Sequence, residues 1–124
     1  MAIAMRPIKS YYTYPNLDTI VLFAGDGDFL DMVEFVTKTL KKRLFVVGWS
    51  ASMSRDLAQM CTEVIYLDCI WTEISTAQKN EQMTNAEVLK MIGVGEAVIL
   101  AAVRKFPDTE QRDQCIEFAF QLQT

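Results

Sequence analysis

Ile20 to Ala24, "IVLFA", is apolar at every position, the pattern of a strand buried on both faces. From Phe29 the period changes: Phe29, Met32, Val33, Val36 and Leu40 fall on one side of a helix. That helix ends in Lys41, Lys42 and Arg43, cations that suit the negative end of a helix dipole. Leu44 to Trp49, "LFVVGW", predicts a second buried strand. In the "SASMSRDLAQMC" that follows, Ser52 or Ser54 serves as N-cap of a short helix. Glu63 to Leu67, "EVIYL", predicts a third strand. Strand, helix, strand, helix, strand at these lengths is a βαβαβ unit with parallel strands, and the fold class is α/β.

The pattern then weakens. Ser75 to Glu87, "STAQKNEQMTNAE", is polar and reads as a linker or solvated connection. Beyond it three helices are expected, over Asn85 to Ile92, Glu96 to Phe106 and Thr109 to Leu122. Gly93 and Gly95 separate the first two, and Pro107 stops the second. The expected organisation is an α/β region over 1–74, a polar linker over 75–87 and a helical extension over 88–124.

Composition changes this picture little. The chain has 124 residues, 51% of them hydrophobic, enough for the core of one domain. No apolar run reaches the about 20 residues that span a bilayer. The opening "MAIAMRPIKSYY" has neither a long apolar segment nor a cleavage site, so an intracellular location is expected, the cytoplasm first, with nucleus or organelle open. Cys61, Cys69 and Cys115 are odd in number and lack metal-ligand spacing, which fits reduced thiols. The chain has no histidine, which excludes Ser-His-Asp and Cys-His catalysis and any His-bearing zinc site. Chemistry must come from carboxylates, lysines, hydroxyls or a bound ion. The net charge of −4 argues against a broad nucleic-acid surface and leaves a local one open.

One motif stands out. Gly25-Asp26-Gly27-Asp28 joins the first strand to its helix, and in parallel sheets ligands bind beyond the carboxyl ends of the strands. The plain account is a turn, with Asp28 capping the helix at Phe29 and Gly27 taking a positive φ. The functional account is a site for Mg²⁺ or Mn²⁺, which take oxygen ligands and promote attack of water on phosphate. Lys38, Lys41 to Arg43 and Arg55 are candidate phosphate contacts, or a solvated helix end. Ser50, Ser52 and Ser54 would bond phosphate oxygens, or cap a helix. Tyr11, Tyr12 and Tyr14 would stack on bases, or pack against the sheet edge or a partner. Trp49 and Trp71 read as core or rim residues.

The stretch "LDTIVLFAGDGDFLDMVEFVTKTLKKRLFVVGWSASMSRDLAQMCTEVIYLD", Leu17 to Asp68, resembles the C-terminal half of an NYN domain. That PIN-like family comprises metal-dependent ribonucleases with an Asp-rich site on a Rossmann-like sheet. Its hallmark Ser-Gly-Asp-x-Asp-Phe is here Ala24-Gly25-Asp26-Gly27-Asp28-Phe29. The strand ending in Val46-Val47-Gly48 and the serine loop after it match in order and spacing. The resemblance implies that Asp26 and Asp28 are metal-holding, catalytic acids. Gly25, Gly27, Ser50, Ser52, Ser54 and Arg55 complete the candidate site on the substrate side.

Departures are specific. Many relatives have Ala-Asp before the last strand where this chain has Cys61-Thr62, and the family's other acids, on an earlier strand and a middle segment, find no match. Asp31 and Asp68 are the remaining carboxylates to weigh. Two functions are therefore expected: a Mg²⁺- or Mn²⁺-dependent endoribonuclease taking further acids from another chain, or an inactive NYN-derived module that binds protein or RNA. The missing neighbour also leaves Ile20 to Ala24 as a bare apolar edge, an aggregation hazard. Its expected cover is a second copy, a different chain, the N-terminal segment or the C-terminal helices. "MIGV" at Met91 gives the last helices a faint similarity to UBA/CUE-type bundles, for which an apolar helix on the sheet is the simpler account.

Overall fold

An all-apolar strand has to be enclosed on four sides: two faces by side chains and two edges by hydrogen-bonded backbone. The computed structural model, which describes residues 18–24, 27–79, 84–93, 98–101 and 109–123, shows how this chain does it. Strand β1 (Thr19–Phe23) leads through a 3-10 turn (Gly27–Phe29) into α1 (Leu30–Glu34), which continues as a π-helical turn (Phe35–Thr39). Then come β2 (Arg43–Gly48), a 3-10 turn (Ser50–Ser52), α2 (Arg55–Met60), β3 (Glu63–Tyr66) and α3 (Leu67–Lys79). The chain continues through α4 (Asn85–Ile92), β4 (Val98–Ala101) and α5 (Thr109–Gln123).

The sheet order is β3-β2-β1-β4, and every neighbouring pair is parallel. Ile20 stands opposite Leu44 of β2 and Val98 of β4. Alternate residues feed two cores. Ile20, Leu22, Ala24, Leu44, Val46 and Leu100 meet Phe29, Met32, Val33, Val36 and Leu57 under α1 and α2. Val21, Phe23, Phe45, Val47, Ile99 and Ala101 meet Leu67, Ile74, Val88, Ile92, Phe118 and Leu122 from α3, α4 and α5. Helices thus cover both faces, and the architecture is the α/β, three-layer, Rossmann-like one expected, with a helix at its C-terminal end.

Three elements differ from expectation. The helix expected over Glu96 to Phe106 is instead a strand at Val98–Ala101. A segment apolar on all sides suits a buried helix or a buried strand equally, and the open edge of β1 decides for the strand. The bare edge at Ile20 to Ala24 is therefore covered from within the chain, by a C-terminal strand rather than by C-terminal helices. The N-terminal alternative, residues 1–17, lies outside the described residues. The polar stretch Ser75 to Glu87 is helical at both ends, since α3 runs to Lys79 and α4 starts at Asn85. Thr84 caps α4: its hydroxyl accepts from Glu87 N (3.3 Å) and donates to Glu87 Oε1 (3.1 Å). Third, β3 ends at Tyr66, and Leu67 already opens α3.

An aromatic chain ties α3 and α5 to the sheet. Phe23 meets Phe118 edge-on at 5.7 Å between centroids, Phe118 meets Trp71 at 5.3 Å, and Trp71 meets Trp49 at 5.8 Å. Trp49 Nε1 donates to the Gln111 carbonyl at 3.1 Å, fixing the start of α5 beside the exit of β2. All three cysteines are free, and burial pushes the Cys115 thiol up to about 12, so it serves as packing.

Two outcomes follow from this packing. A Cβ on Gly48 would come within 2.8 Å of the Ala24 carbonyl and 3.0 Å of Met53 Cε. Gly48→Ala is therefore expected to destabilise the fold by about 1–3 kcal/mol, read as a lower urea midpoint at unchanged slope. Phe118 is fully buried between β1 and α3, so Phe118→Ala should cost about 3–5 kcal/mol. The loss should appear in one cooperative transition. A variant whose sheet unfolds at the wild-type midpoint would show that α5 is not part of the common core.

Candidate functional site

The site is built on the carboxyl end of β1. Ala24 is fully buried, and its N–H donates to the Val47 carbonyl at 3.1 Å, so the strand stays paired to its last residue. From β1 the chain crosses through α1 to β2 on one side, and it returns through α3 and α4 to β4 on the other. The carboxyl ends of β1 and β4 therefore form the switch point where open parallel sheets bind ligands.

Gly25 and Asp26 lie outside the described residues. The chain is described again from Gly27, in the 3-10 turn that carries Asp28 exposed at the surface. Gly27 does not take the positive φ expected of it. A Cβ there would come within 3.2 Å of Ser54 Oγ, a tight contact that a small shift of the serine would have to relieve. Nor does Asp28 occupy the N-cap of α1. The 3-10 turn intervenes, and the cap position falls on Phe29 without a side-chain bond.

The serines of the loop after β2 have separate tasks. Ser50 is held by Asp68, the second residue of α3: its N–H donates to Oδ1 at 3.1 Å and its hydroxyl to Oδ2 at 2.6 Å. The Ser50 hydroxyl holds the Asp68 carboxyl below its ordinary value against the opposing effect of burial, with the Ser50 N–H adding to the lowering. Ser52 donates to the Trp49 carbonyl at 3.4 Å. Ser54 caps α2 by accepting from Leu57 N at 3.4 Å, as one of the two expected caps. Arg55 follows directly, exposed in the first turn of α2. Gly27, Asp28, Ser54 and Arg55 are thus brought together, with Ser50 and Ser52 on the adjoining loop.

Other candidates stand elsewhere. Arg43 N–H donates to the Asp18 carbonyl at 2.8 Å, and its guanidinium lies 4.9 Å over the Phe45 ring. Lys41 to Arg43, with Lys38 on the preceding turn, are therefore at the amino end of β2, a strand's length from the acidic turn. Thr62 is at that far end as well: it accepts from Leu44 N at 3.0 Å and donates its own N–H to the Leu44 carbonyl at 2.9 Å. Thr62 therefore does not face the acidic turn. Asp31 is exposed on the first turn of α1. Asp68 follows β3, two strand spacings of about 4.8 Å from β1. Among the described residues no three His, Cys, Asp or Glu side chains converge as a metal-binding group. Tyr11, Tyr12 and Tyr14 lie outside the described residues. A cleft of about 430 Å³ runs between α3 and α5, lined by Trp71, Gln114 and Phe118 among others, in the opposite helical layer from α1 and α2.

The Ser50–Asp68 bond is the feature that linear reading misses. Its signal is a serine just past one strand and an aspartate just past the next, which parallel neighbours bring side by side.

The model of the NYN domain family matches residues 1–68, a span that includes the acidic turn, β1 to β3 and the serine loop, and that reaches upstream of Leu17. No curated protein and no solved structure gives a significant match. With more than half of its 124 residues inside the family model, and the acidic turn at the carboxyl end of a central parallel strand, this chain belongs to the NYN domain family.

Proposed function

We propose that this NYN domain is a ribonuclease that cleaves RNA phosphodiesters with Mg²⁺ or Mn²⁺ held at Asp26 and Asp28. The observation that carries the reading is the place of the turn: Asp28 is an exposed carboxylate beyond the carboxyl end of the central strand, inside the span that matches a PIN-like nuclease family. The donor chemistry fits. A histidine-free turn offers hard oxygen ligands only, and Mg²⁺ is commonly held by one or two carboxylates together with substrate phosphates and waters. When bound, such an ion supplies Lewis-acid stabilisation and a more acidic water.

The chain's own residues divide the remaining work. Asp28 would anchor the ion, and Ser54, packed against Gly27, holds the turn that carries it. Arg55 would lend positive charge to a phosphate at the same end of the sheet. Ser50 and Ser54 already spend their hydroxyls on Asp68 and α2, so they act on the loop's shape more than on substrate. Further acids would come from another chain, a second copy or a different protein. We also place the protein inside the cell; among the described residues no helix is long and apolar enough to cross a membrane.

A second reading is favoured by one observation, that the described residues hold no group of three acidic, histidine or cysteine side chains able to bind a metal. On it the domain is an inactive module that binds RNA or a protein partner. Cleavage of a labelled single-stranded RNA in Mn²⁺ separates the two. The nuclease reading expects cleavage by the wild type and a rate lower by about 100-fold or more in Asp28→Asn, the scale of losing one charged group from an electrostatic site. Retention of RNA without cleavage, in Mn²⁺ or Mg²⁺, would select the binding module.

A further inference from the structure

We propose that Asp68 is a positioning residue for the acidic turn and acts on it through the serine loop; the proposal rests on the metal-site reading above. Asp68 is not placed to be a ligand itself. Each of its oxygens accepts one bond from Ser50, and β2 separates β3 from β1. The two bonds fix both the backbone and the side chain of Ser50, the first residue of the loop. At the other end of the loop, Ser54 is fixed as the cap of α2.

Between these anchors the loop lies close to Gly48 and Gly27. Met53 presses on Gly48, where a Cβ would meet Met53 Cε at 3.0 Å and the Ala24 carbonyl at 2.8 Å. The Ser54 hydroxyl lies close over Gly27, 3.2 Å from where a Cβ would stand. Gly27 immediately precedes Asp28. A shift of Ser50 is therefore passed along a five-residue loop to the backbone that aims the Asp28 carboxylate. Groups that orient a metal ligand without touching the metal commonly change affinity by about 10- to 100-fold. The bland account is that an aspartate in the first turn of a helix favours the helix dipole and nothing more. That account explains neither the pairing of both oxygens with one serine nor the contact of the same loop with Gly27.

The test is Mn²⁺ titration of the full chain, followed by calorimetry, with thermal midpoints measured in parallel. Asp68→Ala is expected to weaken Mn²⁺ binding about 10-fold. Asp68→Asn, which keeps one acceptor for Ser50, should fall between it and the wild type. Ser50→Ala should weaken binding in the wild-type background and add nothing in Asp68→Ala, because the two residues act as one unit. A merely structural Asp68 would lower the thermal midpoint and leave the Mn²⁺ affinity unchanged below it, and that result overturns the proposal alone. Wild-type protein that binds no Mn²⁺, or binds it equally well as Asp28→Asn, overturns the metal-site reading and the proposal with it.

Discussion

The Ile20–Ala24 strand is sealed from water on both faces, and the sealing of its edges organises the rest of the molecule. Each buried peptide group along it must be hydrogen-bonded, and strands on both sides are the economical way to satisfy them. β2 supplies one edge from the adjacent sequence, and β4 supplies the other from near the far end of the chain. Their opposite directions of approach put α1 and α2 on one face and α3, α4 and α5 on the other. They also leave the carboxyl end of the central strand open between two diverging connections. The acidic turn stands where it does because that is where the sheet divides.

The division between what is legible along the chain and what is not follows the range of the interactions. β1, β2 and α1 are plain because each carries its own period and its own boundaries. β4 is not, because "EAVILAAV" has no polar face to set a period, and its state is decided by an open edge far away in sequence. The Thr84 cap of α4, bonded to Glu87, is a local signal that a polar composition obscures. At the site, Asp26 and Asp28 and the Ser54 cap are short-range features and can be read directly, whereas the Ser50–Asp68 pair joins two loops across neighbouring strands. Lys41 to Arg43 show the converse, and the solvated end is the one of their two readings that fits. They follow the acidic turn closely in sequence, but a helix intervenes, and helices in such units carry the chain back to the other end of the sheet.

Membership of the NYN family and the geometry of this chain bear on different questions. The family supplies the chemistry to expect of an acidic turn in this setting. The structure shows what surrounds the turn: a serine hydroxyl close over Gly27, on a loop hydrogen-bonded at both ends. Such bracing matters most when ligands are few, because an ion held by one or two carboxylates has no surplus contacts to correct a misdirected one.

The pairing of Ile20 with Val98 also has a temporal side. The central strand is among the first parts of the sheet to be synthesised, and its second edge arrives only when residues 98–101 have emerged. Until then β2 is the strand that pairs with it among the described residues, and the edge that β4 takes is apolar β-strand backbone. Long-range parallel pairing of this kind is slow to form and exposes partly folded chains to association. The sequence separation between β1 and β4 thus sets how long that edge waits for its pair, and a chain ended before β4 would lack the strand that closes it.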